Sequence, residues 1–125
     1  MARGSLEAAE DHLVQSRLRD AASRFYYAAY QATTALLHYR GLMPPQGREA
    51  WSHDDTPDLV LDQLASFLAS RDVRRRIART LRELYEVRIQ ADYHASADIN
   101  RDVVTRARRG TGYILSVAQA VLPET

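Results

Sequence analysis

Apolar residues recur along most of the chain at intervals of three and four positions, which is the spacing of one helix face. The alternating β-branched runs and the Asn-Gly or Asp-Gly turns that mark strands and hairpins do not occur in the sequence. We predict a first helix over residues 6–17, with Leu6, Ala9, Leu13 and either Ser16 or Arg17 on its inner face. A second helix is capped by Asp20 and ends at Gly41. The pattern therefore indicates an all-helical fold.

The second predicted helix is apolar on two flanks, which indicates a central helix with neighbours on both sides. One flank consists of Ala22, Phe25, Tyr26, Ala29, Ala32, Leu36 and Tyr39. The other consists of Tyr27, Tyr30, Ala35 and Leu37.

Residues 41–58 form the one long break, because Pro44, Pro45 and Gly47 interrupt the helical pattern. Three more helices follow: a short one over residues 57–69, one that begins after an N-cap at Ser70, and one capped by Asp98 or Asn100. The inner positions of the short helix are Leu59 or Val60, Leu64, Phe67 and Leu68. Those of the helix after Ser70 are Val73, Ile77, Leu81, Leu84, Val87 and Ala91. Those of the last helix are Val103, Ala107, Thr111, Ile114, Ala118 and Val121. The sequence predicts an all-α, up-and-down four-helix bundle with one additional short helix, in a single domain over residues 1–125.

The composition limits the chemistry that the chain can perform. With 125 residues the chain has the size of one domain. It contains no cysteine, which excludes disulfides, thiolate metal sites and a cysteine nucleophile. No segment has the pattern of a signal peptide or a transmembrane helix, so we expect a cytoplasmic protein.

Charge is segregated along the chain although the net charge is only +1. Residues 41–70 carry one Arg against five acidic residues, a net of −4. Residues 71–109 carry eleven Arg against six acidic residues, a net of +5. The second half therefore offers a basic surface that the net charge conceals.

A stripe of arginines runs along the predicted fourth helix. Arg71, Arg75, Arg79 and Arg82 lie at i, i+4, i+8 and i+11. Glu83 and Glu86 follow Arg79 and Arg82 by four residues, so we predict that they neutralise these two arginines in part. Two interpretations remain open. The stripe is either a solvated face or a track for an RNA backbone or an acidic partner, in which Arg71, Arg75 and Arg79 bind phosphate or carboxylate groups.

Three segments carry a resemblance to a known family. They are "ASRFYYAAYQATTALLHYRG" (22–41), "WSHDDTPDLVLDQLASFL" (51–68) with its loop histidine, and "LRELYEVRIQADYH" (81–94). Together with the last helix, they resemble HEPN domains, and more specifically a subfamily of small single-domain bacterial and archaeal HEPN proteins.

The resemblance implies a helical bundle that usually dimerises. Many HEPN proteins are metal-independent ribonucleases with an Arg-x4-6-His motif near the end of the penultimate long helix, and others bind nucleotides or protein partners without catalysis. Many bacterial members are encoded beside a small nucleotidyltransferase as toxin–antitoxin pairs. Arg88-x5-His94 lies at the matching place with an allowed spacing. We expect a two-fold homodimer through the second flank of the second helix or the end of the fourth helix.

Two interpretations of Arg88 and His94 remain open. Residues six apart on an unbroken helix point about 120° apart, so both side chains reach one phosphate only if the helix ends near Asp92 or a second subunit completes the site. As a catalytic pair, His94 moves the 2′-OH proton and Arg88 stabilises charge on the phosphate. In the structural interpretation, Arg88 and Asp92 form an i,i+4 ion pair, Tyr93 packs, and His94 caps the helix.

The remaining candidates have a structural and a functional interpretation each. The tyrosines of the second helix are core or interface aromatics, or platforms for base stacking. His53, followed by Asp54 and Asp55, suggests either a cap for the third helix or a metal site, but three adjacent residues do not converge on one ion. We expect capping, and no metal or cofactor.

The leading functional hypothesis is therefore an RNA- or nucleotide-directed HEPN protein, as a metal-independent endoribonuclease of a toxin–antitoxin pair. The alternative hypothesis belongs to another class. It is a non-catalytic interaction module that dimerises and binds a protein partner such as a small nucleotidyltransferase.

Overall fold

The computed structural model describes residues 2–65, 68 and 70–123, with the backbone alone for residues 2–9, 11 and 12. Four helices follow one another: α1 (Ala2–Tyr39), α2 (Asp55–Gln63), α3 (Arg71–Tyr93) and α4 (Arg101–Val121). No strand occurs among the described residues. The predicted all-α class is confirmed.

The first two predicted helices are one helix, because α1 runs without a break from Ala2 to Tyr39. Asp20 is therefore not an N-cap but an interior residue. The segment around it contains no Gly or Pro, and Ala21 and Ala22 favour the helix strongly enough to carry it through. Gly41 ends the helix as predicted, with a positive φ of 95° that a side chain rarely tolerates.

Side chains cap α2, α3 and α4 by local hydrogen bonds. The Val73 amide donates to Ser70 Oγ at 3.3 Å, and the Val103 amide donates to Asn100 Oδ1 at 3.0 Å. Both caps agree with the sequence prediction, which for α4 named Asn100 as one of two candidates. At α2 the N-cap residue Asp54 forms no side-chain cap, and the Asp55 amide donates instead to Ser52 Oγ at 3.1 Å, so the predicted capping by His53 and the two aspartates is wrong.

The helix α1 is the central element, because it packs against each of the other three helices. The predicted inner faces of α3 and α4 are buried or half-buried at every position. Of the inner positions predicted for the short helix, Val60, Leu64 and Leu68 are buried, and Phe67 lies outside the described residues. The largest fully buried side chains in the core are Tyr26, Leu36, Leu37, Leu64, Ile77, Ile114 and Val60.

Leu13 was predicted to face the core, but 51% of it is exposed, and its neighbour Val14 is 41% exposed. The helix lengths explain this exposure. With 38 residues, α1 is about 57 Å long, whereas α3 and α4 are about 35 and 32 Å long. Part of α1 therefore extends beyond its partners. Of the other inner positions predicted for this segment, Leu6 and Ala9 lie outside the described side chains, Ser16 is half-buried and Arg17 is exposed.

The helices α1, α3 and α4 contact one another closely at two further points. The hydroxyl of Thr111 on α4 donates to the Phe25 carbonyl on α1 at 3.0 Å. A Cβ added to Gly110 would lie 2.7 Å from Cγ2 of Thr80, so glycine permits the approach of α4 to α3. Within the described residues, no helix combines the length and the hydropathy needed to cross a membrane.

Candidate functional site

Aromatic rings from α1 and α3 surround His53, which lies in the loop before α2. Its ring centroid lies 4.6 Å from that of Tyr30 and 5.2 Å from that of Tyr85, against which it stacks with an angle of 10°. The Tyr26 hydroxyl and His53 Nδ1 share a hydrogen bond. The Tyr30 hydroxyl donates to the Trp51 carbonyl at 2.5 Å, which fixes the loop two residues before the histidine. His53 is thus part of an aromatic cluster.

The surroundings of His53 keep its ring uncharged at neutral pH. Burial lowers the pKa of His53 below its ordinary value of 6.5, and the positive charge of Arg88 lowers the pKa further. The carboxylate of Asp54 acts in the opposite direction without reversing the shift. Burial also raises the pKa of Tyr26, so its hydroxyl keeps its proton. The hydrogen bond between these two residues therefore joins two neutral groups.

Arg88 lies one turn after Tyr85 on α3 and is held from two sides. Its Nη2 donates to the Tyr27 hydroxyl at 2.8 Å. Its Nε lies 3.0 Å from Oδ2 of Asp92, which is an ion-pair distance, although the atoms are not aligned as a hydrogen bond. Ser23 Oγ donates to the same Asp92 oxygen at 3.2 Å. Only 15% of the Arg88 side chain is exposed, so the guanidinium is fixed in position before any ligand arrives.

His94 is the residue at which α3 ends. Its backbone is extended, with φ −121° and ψ 92°, and its amide donates to the Gln90 carbonyl at 3.1 Å. Its side chain is exposed. The helix therefore ends near Asp92, which was one of the two conditions for a shared site.

The guanidinium of Arg19 on α1 holds the segment around His94. All of its hydrogen bonds to described residues go to backbone carbonyls. Nη1 donates in three contacts of 2.9 to 3.3 Å, and Nη2 donates to Ala95 at 3.1 Å and to Ala97. The acceptors are the carbonyl oxygens of Gln90, Ala91, His94, Ala95 and Ala97. A single cation from α1 thereby satisfies the last carbonyls of α3 and orders the turn that follows.

Among the described residues, no contact joins the side chains of Arg88 and His94. The ion pair between Arg88 and Asp92 is present, as the structural interpretation predicted. Tyr93 does not pack in the core, since 67% of it is exposed, and its ring faces the Arg88 guanidinium at 5.4 Å. Arg88 instead shares the neighbour Tyr27 with His53 and lowers the pKa of that histidine, a relation that the sequence did not predict.

The arginine stripe is exposed on α3 as a continuous surface. Arg71, Arg75 and Arg79 are exposed and form no ion pair with any described residue. Arg82 pairs with Asp58 of α2 at 2.6 Å, and Arg79 has no such partner among the described residues. The predicted neutralisation of both arginines by glutamates four residues later was therefore wrong. Arg74 and Arg76, from adjoining faces, are used within the fold. Arg74 donates to the Leu61 carbonyl, and Arg76 covers the Tyr113 ring at 3.8 Å.

The sequence contained one signal for His53 that its local interpretation missed. The histidine lies in the segment 51–68, which contributed to the HEPN resemblance, but the two following aspartates favoured capping. Its partners lie on α1 and α3, so only the folded chain brings them together. Within the described part of the chain, no three His, Asp or Glu side chains are grouped as metal ligands.

Comparisons with known proteins agree with the three segments that resembled a family. The family model of the HEPN domain matches residues 1–121, which is nearly the whole chain. Searches of curated proteins and of solved structures gave no significant match. The all-helical architecture agrees with the family match. The chain belongs to the HEPN domain family.

Proposed function

We propose that this HEPN protein is a metal-independent endoribonuclease whose centre is formed by Arg88 and His94 in a two-fold dimer. Arg88 binds the scissile phosphate, and His94 transfers protons. In this proposal the protein is the toxin of a toxin–antitoxin pair whose other member is a small nucleotidyltransferase. At the coarser level, membership of the family indicates either a nucleotide- or RNA-related function or a protein-interaction module.

The observation that carries the proposal is the fixed position of Arg88 close to the end of α3. Nη2 donates to Tyr27, Nε lies at ion-pair distance from Asp92, and Tyr93 also interacts with the guanidinium. A cation held in place by its neighbours stabilises developing negative charge without the cost of reorganisation. The exposed His94 follows directly after the same helix, in a segment held by Arg19.

RNA cleavage without added metal tests this function. Wild-type protein should cleave single-stranded RNA in EDTA and leave 2′,3′-cyclic phosphate ends, because the 2′-OH is the nucleophile and no metal is required. Arg88→Ala and His94→Ala should each abolish cleavage, whereas His38→Ala, at an exposed histidine on α1, should not. The ribonuclease proposal would be refuted if the wild-type protein left varied RNAs intact, both when produced alone and after separation from the protein that the neighbouring gene encodes.

The arginine stripe is proposed to bind the RNA backbone. Arg75→Ala together with Arg79→Ala should weaken binding and reduce the slope of log K against log salt by about 1 to 2, roughly one for each phosphate that the protein no longer neutralises. Arg48→Ala is the matched control, since this exposed Arg lies in the acidic segment. An unchanged slope in the double variant would identify the stripe as a solvated face.

HEPN domains often dimerise, and a two-fold dimer is part of the proposal. Exposed apolar side chains on α1 and at the end of α3 support it: Leu13, Val14 and Tyr93. Light scattering should give twice the monomer mass at micromolar concentration. A monomer at high micromolar concentration would contradict a site shared between subunits.

A second function, the non-catalytic binding of a partner, is favoured by the ion pair that Arg88 forms with Asp92. This carboxylate offsets the charge that a phosphate would need. Asp92→Asn separates the two functions. A ribonuclease should keep or gain affinity for RNA when the competing carboxylate is removed, whereas an interaction module should show no RNA affinity before or after the change.

A further inference from the structure

We propose that His53 is the proton acceptor of the site, contacting the ribose 2′-oxygen of RNA while Arg88 of the same protomer contacts the phosphate. This inference rests on the proposed ribonuclease function and deepens it. It assigns the removal of the 2′-OH proton to His53 and leaves the donation of a proton to the leaving oxygen to His94. A histidine and an arginine thus act together within one chain.

His53 and Arg88 share their neighbours in the folded chain. Tyr85 stacks on the His53 ring, and Arg88 follows Tyr85 by three residues, so the two lie on the same side of α3. Tyr27 contacts both groups: its hydroxyl accepts from Arg88 Nη2 at 2.8 Å, and its ring meets His53 edge-on at 6.3 Å between centroids. Tyr27 is 38% exposed, so this cluster reaches the protein surface where RNA can approach.

A hydrogen bond to the Tyr26 hydroxyl orients the His53 imidazole. His53 Nδ1 is engaged with the Tyr26 hydroxyl, which leaves Nε2 as the nitrogen that exchanges a proton with a ligand. When Nδ1 donates to the Tyr26 oxygen, Nε2 carries the lone pair that a base needs. Tyr26 is itself buried in the core, so the ring is oriented by a residue that does not move. A catalytic base needs a ring held in this way, and the proposed step uses the tautomer in which Nδ1 carries the proton and the Tyr26 hydroxyl accepts it.

The surroundings of His53 favour the protonation state that a base requires. A base must be uncharged when the substrate binds, and burial together with Arg88 holds the pKa of His53 below its ordinary value. Four tyrosines and one arginine face the ring from α1 and α3, and Asp54 is the acidic neighbour on its own loop. The same Arg88 that keeps the imidazole neutral also offers the charge that attracts the phosphate.

The proposed step balances without any further reactant. Nε2 of His53 takes the 2′-OH proton as the 2′-oxygen forms a bond to phosphorus. The bond from phosphorus to the 5′-oxygen breaks, and that oxygen takes a proton from His94. The products are a 2′,3′-cyclic phosphate and a 5′-hydroxyl, and the two histidines then exchange protons with water. Arg88 stabilises the charge on the non-bridging oxygens.

The rate of cleavage as a function of pH tests His53 directly. In wild-type protein, kcat should rise with pH through an apparent pKa below 6.5, since the base must lose its proton. His53→Gln should lower kcat by about 10²- to 10³-fold and change KM little. It should also remove the ascending limb of the pH profile, that is, the rise of kcat with pH. His38→Gln should behave as wild type. A folded His53→Gln protein that cleaves within about two-fold of the wild-type rate would overturn the inference while the proposed function stands.

Tyr26→Phe guards against a His53 variant that fails to fold, because the ring is retained and only the hydroxyl is removed. This change should move the pKa of the ascending limb and lower kcat with little effect on KM. A purely structural role of the cluster predicts the wild-type limb and the wild-type kcat in Tyr26→Phe, and that result would also overturn the inference.

A binding measurement without turnover distinguishes failure of the inference from failure of the proposed function. A 2′-fluoro RNA oligonucleotide, which cannot be cleaved, should shift the imidazole NMR resonances of His53 in wild-type protein and leave those of His38 in place. A shift at His53 without cleavage of any natural RNA would refute the ribonuclease and leave the RNA contact standing. Cleavage without a shift at His53 would overturn the inference alone, and the absence of both would overturn both.

Discussion

Removing the guanidinium of Arg19 should destabilise the end of α3 more than any other change at a surface side chain of α1. The contacts link Arg19 to five carbonyl oxygens between Gln90 and Ala97. The two nitrogens carry four hydrogens, so at least one hydrogen is shared between two acceptors. Hydrogen bonds from a charged donor are worth about 1.5–3 kcal/mol each, and the contacts to His94 and Ala95 are exposed and count for less. We expect Arg19→Met to lower the free energy of unfolding by about 2–4 kcal/mol.

Methionine is the appropriate replacement because it keeps an unbranched apolar stem and removes only the donors. Arg17→Met is the matched control, since Arg17 is an exposed arginine two residues away on the same helix. Urea denaturation measures the stability difference, and hydrogen exchange locates it. The Ala97 amide, which donates to the His94 carbonyl at 3.1 Å, should exchange faster in Arg19→Met than in Arg17→Met.

Two results would refute this reasoning about Arg19. One is a stability loss no larger than the loss in Arg17→Met. The other is a large loss with unchanged exchange at residues 94–98, because the energy would then come from α1 itself. Arg19→Lys adds a finer test: an ammonium is a compact point charge that cannot span carbonyls as far apart as those of Gln90 and Ala97. It should recover only part of the stability.

Further predictions concern packing and pH. Gly110→Ala should destabilise the protein by about 1–2 kcal/mol because its Cβ would lie 2.7 Å from Cγ2 of Thr80, and adding Thr80→Ser should recover part of the loss in urea denaturation. Gly112→Ala meets open space and should stabilise α4 by up to about 1 kcal/mol, so equal effects at the two glycines would contradict the packing argument. Since the folded pKa of His53 is depressed, the unfolded chain binds the extra proton, and stability should fall as the pH drops below about 6.5. His53→Gln should flatten the plot of stability against pH in this range. An unaltered slope would show that burial and Arg88 do not lower the pKa of the imidazole.

The parts of the fold that the sequence predicted are those whose causes are local. Ser70 and Asn100 cap their helices through hydrogen bonds to amides three residues on, so the sequence around each cap contains the whole interaction. The buried faces of α3 and α4 follow from a helical period that their apolar residues repeat several times. The ion pair between Arg88 and Asp92 is local in the same sense.

The parts that sequence reasoning missed depend on contacts between distant segments. Arg82 pairs with Asp58 rather than with a glutamate one turn away, because α2 packs against that face of α3. Arg19 acts on backbone carbonyls, which every residue carries, so no acceptor side chain marks its role. His53 joins tyrosines from two helices, and the chain around it shows only a histidine before two acidic residues.

The continuity of α1 explains why the contacts of Arg19, Ser23 and Tyr27 lie together at the C-terminal end of α3. Arg19, Ser23 and Tyr27 lie at i, i+4 and i+8 on one stripe of α1, and each holds a different part of the facing helix. Arg19 holds the terminal carbonyls, Ser23 holds Asp92, and Tyr27 holds Arg88. A helix break at Asp20 would have placed Arg19 out of register with the other two. Because α1 does not break there, a single helix face sets the position of the arginine and of the segment that carries His94. The neighbouring Tyr26 and Tyr30 set the position of His53 from the same helix. The candidate site is thus built by α1, although the residues proposed to act on RNA come from the loop and from the end of α3.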